Sequence, residues 1–501
     1  MKKLLQLGII VFGINVYSQN AGSLDTSFGN GGKVITSFFT GADIAKSVAI
    51  QNDGKIIVAG DCMNTQNKTD FGIIRYNING SIDTTFGING KALFDVSNGI
   101  PLNYNDYVSK VLLTASGKIL ITGQKNNALF AIIRLNSDGT LDTTYGVNGS
   151  TTFSLGGSSI ANSAIMQTDG KVVIVGENSG SSSSDFAIAR INADGTLDLD
   201  FSNDGKTTVN FGTYDNAKCV TIDNDGKILV GGSNGSTTAC MVRLNSDGNI
   251  DNTFGTLGKV IFDLPSINGE VFGGINVQPD NKITISGEAG NDFLLVRYNQ
   301  NGQIETTFGT NGFYKIDIDN NSEDNFNSMF IQQDGKIILS GETSTGGNYY
   351  FTLVRCNVDG TFDTSFSSDG KQLTSFGTNW SMANDVICQS DGKIIAVGNY
   401  GNYWEYDFAI ARYLGTNNLN LNEFDKQNSL TIYPNPVKNN LQINLIDKNL
   451  ANSKYQILDL NGRVITNENL STETKVINVE NLVNGLYLFK IKNISIKFIK
   501  E

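Results

Sequence analysis

Acidic side chains recur at one position of an internal repeat, and they are the first residues that suggest chemistry. Five acids stand ten residues before the start of a D-G-K-type triplet: Asp43, Asp106, Asp215, Glu270 and Asp324. A pair of carboxylates can act as acid and base in glycoside hydrolysis, and Asp106, Asp215, Glu270 and Asp324 are the candidates for such a pair. A carboxylate ring can also hold a cation or attract a basic partner. A structural interpretation is also open, in which each carboxylate accepts hydrogen bonds from the loop before its strand.

Other kinds of active site are excluded by composition. The sequence contains no histidine, so neither a Ser-His-Asp nor a Cys-His arrangement exists. Its five cysteines lack metal-type spacing, and no phosphate-binding glycine loop opens a helix. The net charge of -12 argues against a nucleic-acid partner, which requires clustered Lys and Arg. We therefore predict no catalytic residues and no cofactor except calcium, with glycoside hydrolysis as the alternative.

The segment "DIDNNSED" is the candidate calcium loop. It offers Asp317, Asp319, Asn321 and Glu323 at alternating positions, similar to the first half of a calcium-binding loop. The glycine at the sixth position and the glutamate at the twelfth are missing.

Aromatic residues gather near the end of the repeat region and form the candidate ligand site. They are Trp380, Trp404, Tyr400, Tyr403, Tyr406, Tyr349 and Tyr350. Aromatic side chains beside Asn, Asp and Gly suit stacking on sugar rings or anchoring a protein partner. The alternative is that they only pack against one another and fix long loops.

These residues must be positioned by a repeated unit of short strands. The D-G-K lysines and their equivalents recur every 53 to 63 residues or so: Lys55, Lys118, Lys171, Lys227, Lys282, Lys336 and Lys393. Within one period "AKSVAIQ", "KIIVAG", "FGIIRYN" and "KALFDV" read as strands, joined by turns rich in Asn, Asp and Gly. Seven four-stranded units predict an all-β, seven-bladed β-propeller.

The count of strands predicts how the ring closes. The motif "LDTSFGNGGK" at Leu24 has relatives in every unit, but no third strand precedes it and no copy follows Tyr413. In six units an arginine precedes an acid of this motif by eight residues, whereas Arg412 and Asp25 each lack a local partner. We predict that Lys33 to Phe38 completes the seventh blade and that Arg412 pairs with Asp25 in a structural role.

The strand order assigns the loops to two faces. The loops between second and third strands and between blades vary, and we call their side the variable face; the D-G-K and "LDTSFG" turns form the opposite turn face. Variable loops on a rigid scaffold are where binding residues concentrate, so we predict the ligand site there. We also predict that the five repeated acids mark the mouth of the central channel on this face.

The ends of the chain predict export. Residues 1-18 have two lysines, a short apolar run and small residues, as in a secretory signal peptide, and no later segment is long and apolar enough to span a membrane. We assign residues 19-413 to the propeller, 414-429 to a polar linker, and 430-501 to a small C-terminal β-sandwich.

Two resemblances accompany these patterns. The order D-G-K-I, F-x-I-x-R and L-D-x-x-F-G resembles the delta-sixty repeat class, which implies a propeller but no particular activity. The blocks "YPNP" at Tyr433, "NGR" at Asn461 and "NGLY" at Asn484 resemble the type A C-terminal sorting domain of the type IX secretion system of Bacteroidetes. That resemblance implies passage through the periplasm to the outer surface, with residues 430-501 contacting the secretion machinery.

The sequence thus predicts a secreted or surface-attached propeller that binds a glycan or protein partner on its variable face. An extracellular glycoside hydrolase and a non-catalytic surface adhesion scaffold are the alternatives.

Overall fold

The structure is a computed structural model, and it divides the chain into two compact units, one spanning Gln19–Asn417 and one containing Asn418–Glu501. It describes residues 20–96, 105–126, 128–180, 182–212, 214–235, 238–264, 269–320, 322–402, 405–415, 430–445, 450, 453–458, 464–470, 474–492 and 494–501. The predicted signal peptide and residues 416–429 of the predicted linker lie outside the described residues.

The first unit contains seven four-stranded antiparallel sheets, which are the predicted blades. We name the four strands of a blade first to fourth, counted from the inside outward. Blade one contains β2 (Asp43–Ile50), β3 (Ile56–Met63), β4 (Thr69–Tyr76) and β5 (Lys91–Phe94). Blade two contains β6 (Tyr107–Leu113), β7 (Ile119–Lys125), β8 (Leu129–Leu135) and β9 (Ser150–Phe153). Blade three contains β10 (Ser158–Met166), β11 (Val172–Ser179), β12 (Ser184–Ile191) and β13 (Lys206–Val209).

The remaining blades repeat this order. Blade four contains β14 (Asp215–Ile222), β15 (Ile228–Asn234), β16 (Thr238–Leu244) and β17 (Lys259–Phe262). Blade five contains β18 (Val271–Val277), β19 (Ile283–Ala289), β20 (Asp292–Tyr298) and β21 (Phe313–Ile316). Blade six contains β22 (Glu323–Ile331), β23 (Ile337–Thr345), β24 (Asn348–Cys356) and β25 (Lys371–Thr374). Blade seven contains β26 (Trp380–Cys388), β27 (Ile394–Asn402), β28 (Glu405–Tyr413) and, as its fourth strand, β1 (Lys33–Thr36).

The seven-bladed fold closed by the N-terminal strand is therefore confirmed. Strand β1 pairs antiparallel with β28, with Lys33 opposite Ala411 and Thr36 opposite Phe408. The core at this junction combines residues from both ends of the first unit, because Phe28 packs in one buried cluster with Val48, Val397 and Phe408. Closure covers an edge of the seventh blade that a linear array would expose.

The tight turns follow from the D-G sequence. Gly54 has a φ of 82° between β2 and β3, a region that glycine enters without a Cβ clash. The preceding Asp53 accepts a 3.1 Å hydrogen bond on Oδ1 from the Lys55 amide, which fixes the turn locally.

An arginine, an acid and a lysine form a triad at the turn face of each blade. At the closure, Asp25 Oδ2 lies 2.9 Å from Arg412 Nε and 3.5 Å from Lys393 Nζ. Burial alone would raise the pKa of Asp25, but the Ser27 hydrogen bond and the charge of Arg412 lower it overall. Five other blades have the same Arg Nε–Asp contact at 2.6 to 2.8 Å: Arg75–Asp83, Arg134–Asp142, Arg190–Asp198, Arg243–Asp251 and Arg355–Asp363.

The triad arginine also connects one blade to the next. Arg75 Nη1 donates to the Ser137 carbonyl of blade two at 2.5 Å, and Arg412 Nη1 donates to the Ile78 carbonyl of blade one at 2.6 Å. Each of these guanidinium groups lies over an aromatic ring of its own motif, for example 4.5 Å from the Phe28 centroid for Arg412. The repeated arginine therefore stabilises both the turn and the ring.

Blade five departs from this pattern because its acid is a glutamate. Glu305 Oε1 lies 2.6 Å from Lys282 Nζ, while Glu305 Oε2 and Arg297 Nε are both buried without a hydrogen-bond partner in the described structure. The extra methylene of Glu305 displaces the carboxylate from the position that Asp holds elsewhere. Burial correspondingly lowers the pKa of Arg297.

Glu305→Asp is expected to raise the free energy of unfolding of the propeller by about 1–2 kcal/mol, because Arg297 Nε regains a charge-assisted partner. Urea denaturation of wild type and variant measures the change. The matched control is Asp251→Glu in blade four, which should lose stability by a similar amount. Equal stability of all three proteins would contradict the assignment.

The second unit consists of two antiparallel sheets. The strands are β29 (Leu430–Tyr433), β30 (Asn440–Leu445), β31 (Lys454–Leu458), β32 (Val464–Asn469), β33 (Thr474–Asn478), β34 (Gly485–Ile491) and β35 (Ile494–Lys500). One sheet has the order β29-β30-β33 and the other β32-β31-β34-β35. They share a core that includes Leu441, Ile443, Tyr455 and Phe489, as expected for a small β-sandwich.

Among the described residues, no helix has the length and apolar character needed to cross a membrane.

Candidate functional site

The five repeated acids are buried, which corrects the prediction that they mark the mouth of the central channel. Asp43, Asp106, Asp215 and Glu270 are inaccessible to solvent, and Asp324 is 1% exposed. Each accepts hydrogen bonds from backbone amides of the loop that precedes its strand, such as Phe38 (2.5 Å) for Asp43. The other four receive amides from Val96, Phe211, Leu264 and Ile318 in the same order.

This arrangement has a physical reason. The incoming loop turns sharply at the top of the blade, and its amides find no partner in a sheet, so the carboxylate satisfies them. Ser159 and Ser381 stand at the same repeat position and bind the amides of Leu155 and Phe376 through their hydroxyls. The position therefore requires an acceptor, not a charge, and the proposed hydrolase acids are not presented to a substrate.

Burial has an electrostatic consequence at two acids of blade one. It raises the pKa of Asp43 to about 6, against the lowering effect of the Phe38 and Phe39 amides, with Cys62 and Asp407 as neighbours. It also raises the pKa of Asp61 to about 6, against the effect of Lys46 and the Val108 amide. Both carboxyls ionise in the unfolded chain near pH 4.

We expect the stability of the propeller to rise as the pH falls from 8 towards about 5. A raised pKa in the folded state means that the folded protein binds protons which the unfolded chain does not, so this contribution is lost as the pH rises through about 6. The triad aspartates have lowered pKa values and lose their contribution as the pH falls below about 4. Maximum stability should therefore lie between about pH 4 and 6, with each raised group changing it by at most roughly 3 kcal/mol.

Thermal unfolding of wild type and Asp43→Asn across pH 4–8 measures this effect. The amide oxygen of the substituted side chain can still accept from Phe38 and Phe39, so the variant should match or exceed wild type at pH 8 and vary less between pH 5 and 8. A wild-type melting temperature that climbs steadily from pH 5 to 8 would show the opposite sign.

The inner strands enclose a central cavity of about 900 Å³. Each first strand contributes to its lining the residue that stands three positions after the loop-binding acceptor, and these seven are Lys46, Ser109, Asn162, Lys218, Gly273, Asn327 and Asn384. The three asparagines each donate to a carbonyl of the next blade: Asn162 to Ala217, Asn327 to Ala383 and Asn384 to Ala45. The cavity is thus polar and connected from blade to blade.

Acidic residues of the second strands interact with the two lysines of this set, and the sequence did not single these acids out. They follow the glycine of the second strand: Asp61, Glu177, Glu288 and Glu342. Lys46 Nζ lies 3.7 Å from Asp61, and its charge also lowers the pKa of Glu342, which burial raises overall. The charges of Glu177 and Glu288 raise the pKa of Lys218, which burial lowers overall. The G-D and G-E pairs were the available signal in the sequence. Asp61 meets Lys46 within blade one, whereas only the fold brings Glu177, Glu288 and Glu342 near lysines of other blades.

Asp385 is the most connected polar residue among those described at the cavity. Its Oδ2 accepts from the Ser47 hydroxyl (2.9 Å) and the Val48 amide (3.1 Å) of blade one and lies 2.9 Å from Lys110 Nζ of blade two. Its Oδ1 accepts from the Ser328 hydroxyl of blade six at 2.8 Å. A single carboxylate of blade seven therefore links three other blades.

The described members of the predicted aromatic group lie at strand ends of blades six and seven, on the variable face. Tyr349, Tyr350, Trp380, Tyr400 and Tyr406 are half-buried, whereas Trp404 and Tyr403 lie outside the described residues. The rings of Tyr349 and Trp380 meet edge to face across the blade junction, with centroids 5.2 Å apart.

A row of backbone pairs extends this contact across blade seven. Trp380 pairs with Gly401, and Gly401 pairs with Tyr406, so the two aromatic residues stand on one side of the sheet with a glycine between them. We call Tyr349, Trp380 and Tyr406 the aromatic stripe. Neighbouring strands are about 4.8 Å apart, which places the Trp380 and Tyr406 backbones about 9.5 Å apart.

Two other predicted aromatic residues have different surroundings. Tyr400 packs against Phe376 with ring centroids 6.2 Å apart and joins the core between blades six and seven, and its hydroxyl occupies the space that the absent side chain of Gly377 leaves. Tyr350 follows Tyr349 in the strand and therefore points to the opposite side of the sheet.

The described residues of the candidate calcium loop have different neighbours. Asp319 Oδ2 accepts from the Thr345 hydroxyl at 2.8 Å, Glu323 is exposed, and Asn321 lies outside the described residues. Asp317 instead approaches Asp292 and Asp324, with one oxygen of each within 4.8 Å of the others. A calcium requirement stays a prediction.

Comparison with protein families finds matches in both units. Residues 431–501 match the Secretion system C-terminal sorting domain. Seven segments match the DUF5122 β-propeller, a domain of unknown function: 51–86, 114–145, 167–201, 224–254, 278–308, 332–366 and 389–415. The sorting domain indicates export by the type IX secretion system to the cell surface or the extracellular space. The finer resemblance to the delta-sixty class stays a prediction.

Solved structures show distant likenesses in fold. A catalytically inactive virginiamycin B lyase of Staphylococcus aureus with quinupristin has 11% identity and a TM-score of 0.43, covering 76% of this chain and 98% of that one. PorZ, described as an essential bacterial surface component of the type IX secretion system of Porphyromonas gingivalis, has 11% identity and a TM-score of 0.37, covering 91% of this chain and 59% of that one. The polysaccharide lyase Uly1 has 9% identity and a TM-score of 0.44, covering 74% and 90%. At these values the likenesses carry no information on activity. Comparison with curated proteins finds no match.

Proposed function

We propose that this chain, which carries DUF5122 β-propeller repeats and a secretion system C-terminal sorting domain, is an exported binding module. It holds a glycan or protein partner on the aromatic stripe of blades six and seven. The observation that carries the proposal is the contact between Tyr349 and Trp380 across two blades, which leaves both rings half-buried on the face with the variable loops.

The repeat provides an internal comparison in support. Trp380 directly precedes Ser381, the residue that accepts the loop amide in blade seven. The residues at the same repeat position in blades one to six are Ala42, Asn105, Ser158, Tyr214, Gly269 and Glu323. Only blade four also has an aromatic residue there. The fold therefore does not require a ring at this position, and a flat amphipathic ring suits ligand contact.

The burial of the predicted catalytic carboxylates argues against the glycoside hydrolase alternative. Asp106, Asp215, Glu270 and Asp324 bind loop amides in the interior, so they neither face one another across a substrate site nor contact solvent. The adhesion scaffold differs from the binding module only in lacking a specific ligand, and binding experiments separate the two.

Trp380→Ala is expected to weaken ligand binding at least about tenfold, because a central aromatic anchor contributes about 2 kcal/mol or more to an interface. A glycan array, together with quantified capture of outer-surface proteins, compares wild type and variant.

Tyr214→Ala is the matched control, since Tyr214 holds the same repeat position in blade four and is 62% exposed. It should leave binding unchanged. Loss in both variants would indicate a different site, and no binding by wild-type protein would favour the scaffold. Release of shorter sugars from any polysaccharide would support the hydrolase instead.

A further inference from the structure

We infer that the aromatic stripe takes an uncharged glycan, bound as an extended chain of sugar rings. The inference rests on the proposed function and names the ligand class of the same site. It follows from the charges beside the stripe, from the engagement of the lysine at the adjoining loop and from the open spacing of the rings.

The segments that carry the stripe have acids but no basic residue. Residues 343–351, 376–383 and 398–408 contain Glu405 and Asp407 on either side of Tyr406, and neither lysine nor arginine. Sulfate, phosphate and carboxylate groups are bound by Arg, Lys or clustered amides. An acidic polysaccharide would meet like charges without a compensating cation, and such juxtaposition disfavours binding.

The lysine at the loop that precedes Trp380 is already engaged. Lys33 Nζ donates to the Ser375 carbonyl at 2.9 Å and lies 5.7 Å from the Phe376 ring centroid. Equivalent fourth-strand lysines bind the same loop in other blades, as Lys91 binds the Ser37 carbonyl and Lys259 the Asn210 carbonyl. Lys33 therefore belongs to the repeated architecture and is not an additional group for an anionic ligand.

Carboxylates and amides suit the hydroxyl groups of sugars. Glu405 is exposed and accepts hydrogen bonds only, and Asn348 and Asn402 are exposed amides that donate and accept. The faces of Trp380 and Tyr406 offer apolar area to the C–H faces of sugar rings. A neutral glycan can satisfy both kinds of surface without bringing a charge.

A cationic partner would also be attracted to aromatic faces and carboxylates. Recognition of an ammonium group, however, uses rings that enclose it, as in aromatic cages. Here Tyr349, Trp380 and Tyr406 follow one another across blades six and seven, and the row through Gly401 spreads Trp380 and Tyr406 about 9.5 Å apart. This open spacing favours a chain of sugar rings over a single cation.

The test measures affinity of the full mature chain for neutral oligosaccharides (cello-, xylo- and mannohexaose), for oligogalacturonate and sulfated oligosaccharides, and for hexalysine. Each titration is done at 50 and 500 mM NaCl with wild type, Trp380→Ala, Tyr214→Ala and Glu405→Gln/Asp407→Asn. We expect a neutral oligosaccharide to bind with less than about a twofold change between the two salt concentrations, since no ion pair forms. Trp380→Ala should lose binding at least about tenfold, and Tyr214→Ala should bind as wild type does.

The double variant separates hydrogen bonding from charge. Its amides can still accept from hydroxyls, so affinity for the neutral ligand should fall only severalfold. Tighter wild-type binding of an acidic oligosaccharide, or of hexalysine with strong salt dependence, would overturn the inference while leaving the Trp380 site intact. Absence of any Trp380-dependent binding, with circular dichroism showing folded protein, would instead overturn the proposed function.

Discussion

Replacing Arg412 by methionine is expected to lower the free energy of unfolding of the propeller by about 3–5 kcal/mol, the range for breaking a buried ion pair. The guanidinium is nearly inaccessible and contacts Asp25 at 2.9 Å through both Nε and Nη2. Nη1 additionally binds the Ile78 carbonyl of blade one. The variant leaves Asp25 with Lys393, at 3.5 Å, as its cationic partner beside the Ser27 hydrogen bonds. It also removes a contact between the two ends of the ring, so the loss of the ion pair and the loss of the closing contact add together.

Arg297→Met in blade five is the control that makes this prediction specific. Arg297 Nε already lacks a hydrogen-bond partner in the described structure, and Arg297 retains only the Val358 carbonyl contact at 2.9 Å. Its replacement should cost clearly less than that of Arg412, although both arginines are buried and lie over an aromatic ring. Urea denaturation followed by tyrosine and tryptophan fluorescence measures both values. Equal losses would mean that ring packing, not the ion pair, accounts for the effect.

Asp385→Ala is expected to lower the free energy of unfolding by about 3–5 kcal/mol as well. The substitution leaves the Ser47 and Ser328 hydroxyls, the Val48 amide and the Lys110 ammonium without their shared acceptor, and unsatisfied buried groups carry a large penalty. Because these donors belong to blades one, two and six, the variant should also loosen the ring where it closes. Hydrogen exchange should therefore increase in β2, β22 and β26 before it increases in blade four.

Asp385→Asn distinguishes geometry from charge. Its amide oxygen replaces one acceptor, so the loss should be smaller than for alanine, while the ion pair with Lys110 disappears. Lys110→Met tests that pair alone; the Lys110 side chain is one-third exposed, so its removal should cost about 1 kcal/mol or less. If alanine and asparagine were equally tolerated, Asp385 would not hold the blades together.

Much of the fold follows from local patterns. The D-G turns, the period-two strands and the even spacing of the motifs specify hairpins that form from neighbouring residues, so strands such as β3 and β4 were predictable. The closure was also predictable, because a repeat that starts with a fourth strand and ends with a third has one arrangement that leaves neither unpaired. Arg412 and Asp25 were matched by the same count.

The candidate site was less accessible to sequence reasoning. The acids such as Asp43 share a repeat position, but the pattern does not tell whether a carboxylate at the top of a first strand points into the channel or back under its loop. The outcome depends on amides of the loop, which need an acceptor where the chain turns. Likewise, Tyr400 and Trp380 look alike in sequence, yet one packs into the core and the other borders the stripe.

By itself, the sequence determined the number of blades, their turns, the closing strand and the sorting domain, because each depends on residues close in sequence or on a count of repeats. Only the tertiary structure decided which side chains meet across the ring. Asp385 contacts Ser47, Lys110 and Ser328, which are far from it in the chain. The charge of Lys46 likewise lowers the pKa of the distant Glu342. Such contacts depend on blade rotation and channel width, which no local pattern encodes. The same geometry brought Tyr349 against Trp380 and thereby defined the surface on which we propose a ligand to bind.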